Sequence, residues 1–146
     1  MNGKNKREIF AADLDHHVEA EGKILEEYRT LAGKVEDGPV SFLIDLILTE
    51  EEQHHFLLRT MAKRLREPFK KEEGKELELV DRNELLQHTQ RFREHEQETI
   101  HACRKLKSNT PLEDADLFDA LLDVMILDSE KHQRLLLAIE QLIKTQ

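Results

Sequence analysis

The chain has 146 residues, enough for one domain with a buried core. Charged residues make up 36% and hydrophobic residues 38%, with few glycines and prolines, a mix that reads as long amphipathic helices. A net charge of −9 argues against nucleic acid and anionic membrane as partners, because both need clustered Lys and Arg, and no apolar run reaches the roughly 20 residues that span a bilayer.

The first helix is expected from about Arg7 to Ala32. Steps of three and four give an inward stripe of Phe10, Leu14, His17, Glu21, Ile24, Tyr28 and Leu31. Met1 to Arg7 is polar and basic with no apolar run behind it, so no signal peptide is visible. Cys103 stands alone and has no internal disulfide partner, which suits a reducing, cytoplasmic setting. Gly33 and Asp37-Gly38-Pro39 mark a turn.

The second helix is expected over about Pro39 to Glu67, with Pro68 as its stop. Its stripe reads Leu43, Ile47, Glu50, His54, Leu57, Met61 and Leu65, apolar at both ends and polar in the middle. A buried stripe carries a carboxylate and an imidazole at a cost unless they are paired or hold a metal. Glu51 and His54, three apart, point at one spot beside that stripe. Glu52 and His55 are expected to face solvent.

A charged connector, 68–80, leads to a third helix capped by Asp81 with Glu84 three residues on. Overlaying Glu21-x-x-Ile24-Leu25-x-x-Tyr28 on Glu96-x-x-Thr99-Ile100-x-x-Cys103 makes Glu96 the counterpart of Glu21. Ser108-Asn109-Thr110-Pro111 breaks the chain, and Thr110, Pro111 and Glu113 are expected to start the fourth helix, which runs to about Ile143. Its stripe, Phe118, Leu121, Met125, Asp128, His132, Leu135, Ile139 and Leu142, repeats that of the second helix. The overlay pairs Glu50 with Asp128, Glu52 with Glu130 and His54 with His132, so the chain reads as a duplicated helical hairpin.

These polar residues fall at similar depth along the helices. Carboxylates and imidazoles converging in a helix bundle suit a divalent ion such as iron, manganese or zinc. The candidate ligands are Glu21, Glu51, His54, Glu96 and His132, with Glu50, Asp128 and His17 as further candidates.

Glu21 with Tyr28 resembles the Glu-x6-Tyr of the first helix in the ferritin-like superfamily, of the rubrerythrin and bacterioferritin kind. Glu51-x-x-His54 resembles the ligand motif of that family's second helix. The resemblance implies one all-α domain over 1–146, an antiparallel four-helix bundle of two related hairpins joined by a longer connection. It also implies a dinuclear iron or manganese site and the handling of oxygen, peroxide or iron, as in a di-metal oxidoreductase. The chain departs from the pattern where Ser129 stands in place of the second motif's Glu, so Asp128 or Glu130 would have to substitute. Cys103 stands where a second Tyr would be expected, and no Cys-x-x-Cys pair is present for an electron donor.

Two other readings stay open. One is a non-catalytic helical interaction module with a degenerate metal site. The other is a hemerythrin-like di-iron protein, which expects His-x-x-x-Glu where this chain has Glu50-x-x-x-His54. Metal ions are the expected partners, and a homodimer is the default oligomer.

Overall fold

A computed structural model describes residues 2–70, 76–107 and 115–145. Four helices account for most of them: α1 (Gly3–Ala32), α2 (Pro39–Arg66), α3 (Arg82–Lys107) and α4 (Ala115–Thr145). The described residues contain no strand. No described helix is long and apolar enough to cross a membrane. The helices form two compact units, Met1–Lys70 and Lys71–Gln146. The first is the hairpin α1–α2 and the second the hairpin α3–α4.

The ends of the helices follow local chemistry. The helix α1 begins at Gly3, earlier than its apolar stripe, because the Lys-, Arg- and Glu-rich segment after it consists of good helix formers. It ends where the Gly33 N–H donates to the Arg29 carbonyl at 3.0 Å. Pro39 occupies the first turn of α2, where its missing N–H costs no helical bond. Before Pro68, the Glu67 N–H makes the last bond of that helix, to the Lys63 carbonyl. At the start of α3, Asp81 Oδ1 accepts the N–H groups of Asn83 (2.9 Å) and Glu84 (3.2 Å), the expected cap. The alternating Leu77-Glu78-Leu79-Val80 forms a turn, closed by the Val80 N–H on the Leu77 carbonyl. The cap expected at Thr110, Pro111 and Glu113 lies outside the described residues.

Within each hairpin the helices run antiparallel. In the first, Arg66 near the end of α2 reaches Glu8 near the start of α1, while Arg29 near the end of α1 reaches Glu52 in mid-α2. In the second, Lys107 pairs with Asp123 and Arg93 with Glu140.

On α1 the expected Leu14 and Glu21 lie in the seam between paired helices, and on α3 the expected Glu96 does, but on α2 (except at Leu65) and α4 the seam is shifted from the expected stripe by one residue. On α2 it is Ile44, Leu48, Glu51, His55, Leu58, Ala62 and Leu65, an unbroken alternation of four and three. On α4 it is Leu122, Ile126, Ser129, Gln133, Leu136, Glu140 and Ile143, again four and three. Ala11 and Ala62, at 0% and 2% exposure, are among the most buried residues of the first hairpin, and their small side chains let the backbones approach. The residues first read as inward, such as Phe10, Ile24, Ile47, Leu57, Leu135 and Leu142, stay exposed on their own hairpin. Each helix carries an apolar stripe wider than one seam, and its spacing alone does not say which edge meets the sequential neighbour.

The duplication extends to individual contacts. His54 Nδ1 stands 3.5 Å from Glu21 Oε1, and His132 Nδ1 stands 3.4 Å from Glu96 Oε1. Arg29 faces Glu52 at 3.1 Å, and Arg104 faces Glu130 at 3.8 Å. Corresponding residues meet through corresponding atoms in both hairpins.

Candidate metal centre

Midway along the first hairpin the seam is polar. Glu21 comes from α1, and Glu51 and His54 come from successive turns of α2. One ligand atom from each of the three lies within 4.8 Å of the others. His54 Nδ1 is 3.5 Å from Glu21 Oε1 and 3.5 Å from Glu51 Oε2. The carboxylates are largely covered, while the His54 side chain is 64% exposed. The imidazole therefore forms the solvent side of the group and the two carboxylates its floor.

The two carboxyl groups perturb each other in opposite directions. Glu21 is held below the ordinary carboxylate value, chiefly by its hydrogen bond with Glu51, with His54 assisting and burial opposing. Glu51 is raised by that same hydrogen bond, by burial and by the charge of Glu21. The two carboxyl groups are therefore driven apart, Glu51 toward the protonated form and Glu21 toward the ionised one.

Even so, the group is under-satisfied. Glu21 Oε2, Glu51 Oε2 and His55 Nε2 are buried and lack a hydrogen-bond partner. Two of them face each other, His55 Nε2 lying 3.9 Å from Glu21 Oε2, while Glu51 Oε2 lies 3.5 Å from His54 Nδ1. Buried polar atoms in native proteins are nearly always satisfied, so these orphans mark a place for a cation or water.

His55, expected at the surface, is in the seam, with its side chain only 15% exposed. The alternation of four and three from Ile44 to Leu65 carries this signal in the sequence, as does Gly22 opposite. A Cβ on Gly22 would stand 3.6 Å from His55 Cε1, so the imidazole packs directly on that glycine.

The other sequence candidates are placed as follows. His17 Nε2 is 3.9 Å from Glu21 Oε2 and its side chain is 70% exposed. Glu50 is exposed and stands outside the group. Glu96 and His132 meet each other in the second hairpin. Ser129, 4% exposed, occupies the place of Glu51 there. Neither proposed substitute fills that place: Asp128 faces Lys131 at 3.0 Å and Glu130 faces Arg104. Cys103 is a buried thiol, as expected, and His16, His88 and His101 are exposed.

No family profile matches the chain, and neither a curated protein nor a solved structure resembles it closely enough to register as a match.

Proposed function

We propose that the first hairpin binds a divalent first-row transition metal through Glu21, Glu51 and His54. The observation that carries this reading is the pair of facing carboxylates beside an imidazole, one ligand atom of each within 4.8 Å of the others, with Glu51 Oε2 buried and unpartnered. Two carboxylates balance the charge of one divalent ion, and the mixed oxygen and nitrogen donors suit iron, manganese or zinc. A second ion would need more carboxylates than this hairpin supplies. A bound ion would favour the ionised form of Glu51, against the upward shift its neighbours impose. The resemblance to the ferritin-like superfamily favours iron or manganese, and such an ion supplies open coordination positions for oxygen or peroxide. The exposed side of His54 gives a small ligand a route in.

A metal-free polar network is the second reading, favoured by the opposed shifts of the two carboxyl groups, which draw Glu51 toward its neutral form and so relieve the repulsion between them. The two readings separate in a double variant, Glu51→Leu with His54→Leu. Elemental analysis of protein purified without chelators from iron- and manganese-supplemented cells should show bound metal in the wild type and none in the variant. Under the second reading neither protein holds metal, and the variant melts at a higher temperature because apolar groups replace a buried polar network.

A further inference from the structure

We propose that His55 is a positioning residue: its buried Nε2–H holds Glu21 Oε2, which leaves Glu21 Oε1 to face the ion between Glu21, Glu51 and His54. This role rests on the metal reading given above. Glu21 is straddled by imidazoles, with His54 Nδ1 on Oε1 at 3.5 Å and His55 Nε2 on Oε2 at 3.9 Å. The two oxygens of one carboxylate therefore have different partners. Both Oε2 and the His55 nitrogen that faces it are buried and unsatisfied. The gap of 3.9 Å exceeds a hydrogen bond of about 2.7–3.2 Å, and such bonds in unliganded sites commonly tighten when the ligand arrives.

His17 Nε2 faces the same oxygen at the same distance, but its side chain is 70% exposed and its hold is screened by water. His55 sits inside the seam on Gly22, where the missing side chain gives the ring its place against α1. The second hairpin shows what this position does without that role. Gln133 stands where His55 would be and donates to Gln97 Oε1 at 3.0 Å, and Gln97 stands where Gly22 would be. An amide at this register thus reaches across to the partner helix.

The test is a Co(II) titration of the intact chain, read by visible absorption. His55→Ala should weaken Co(II) binding by about 10–100-fold, the usual range for losing a partner that orients a ligand. His55→Gln, whose amide stands in for the Nε2–H, should bind within a few-fold of wild type, and His17→Ala should bind as wild type does. His55→Ala binding as tightly as wild type overturns the role, as does His55→Gln binding as weakly as His55→Ala. A wild type that takes no Co(II) overturns the metal reading and the role together, whereas insensitive variants of a Co(II)-binding wild type overturn the role alone. Nitrogen-15 NMR of the wild-type imidazoles supplies a readout that does not depend on whether His55→Ala folds. The proton should be on His55 Nε2, and a neutral ring protonated only at Nδ1 overturns the role.

Discussion

The two hairpins share one plan and treat its polar centre in opposite ways. Both place a Glu from the first helix against a His from the second, through the same pair of atoms. The first adds a second carboxylate, Glu51, and a buried imidazole, His55, and leaves Glu21 Oε2, Glu51 Oε2 and His55 Nε2 buried without partners. The second has Ser129 and Gln133 at those positions and joins Gln133 to Gln97. It also carries orphaned oxygens, on Asp119 and Glu140, but these stand roughly 30 Å apart along α4 at 1.5 Å per residue and form no site. The difference lies in clustering: in the first hairpin the unsatisfied groups belong to neighbouring residues of one polar centre, and in the second they do not.

Exchanging the distinguishing residue should have the largest effect. Glu51→Ser, which gives the first hairpin the side chain of the second, should lower affinity for Mn(II) or Co(II) by at least about 100-fold, measured by equilibrium dialysis. The reverse change, Ser129→Glu, places a carboxylate at a buried site beside Glu96. It should destabilise the metal-free protein by roughly 1–3 kcal/mol in urea unfolding, the cost of an unsatisfied buried polar group, and Co(II) should recover part of that loss. No recovery with Co(II) would show that Glu51 alone does not account for the contrast.

The opposed shifts of Glu21 and Glu51 make a prediction about pH. The folded-state value of Glu51 is raised, so its contribution is present below the ordinary carboxylate range and lost as pH rises through the raised value. Glu21 behaves oppositely: its contribution is present above the ordinary range and lost as pH falls through the lowered value. Metal-free protein should therefore be stabilised most by this pair between those two values, and should lose stability on the alkaline side of Glu51. Glu51→Gln, which keeps the hydrogen bond and cannot ionise, should remove that alkaline loss in melts taken across pH. An unchanged slope would show that Glu51 is not the group whose ionisation costs stability.

The smallest effect is expected at the end of the first hairpin. Arg66 donates to both oxygens of Glu8 and to Asp15, and it holds the Glu8 carboxyl below its ordinary value. These groups are exposed, so Arg66→Ala should lower the melting temperature only slightly, and salt should erase the difference.

Much of this arrangement was legible in the residues. The helix limits followed from Pro39, Pro68 and Asp81, whose backbone chemistry acts locally. The duplication followed from the Glu21–Glu96 and His54–His132 correspondences, and Glu51-x-x-His54 put two candidate ligands on one face. The seam of α2 and α4 was misplaced by one residue because apolar side chains occur on both edges of each stripe, as Ile47 and Leu48 do on α2. That slip sent His55 to solvent. Its burial follows from the level at which α1 meets α2 and from the bare backbone of Gly22, both of them tertiary facts. Asp128 and Glu130 looked like replacements for a missing ligand until Lys131 and Arg104 were found beside them.

The most direct test of the contrast is equilibrium dialysis of the intact, metal-free chain against Mn(II) and Co(II), comparing wild type with Glu51→Ser. The account predicts that the wild type retains metal and that the variant, still helical and cooperatively folded, retains almost none. A variant that holds as much metal as the wild type, or a folded wild type that holds none, would contradict it.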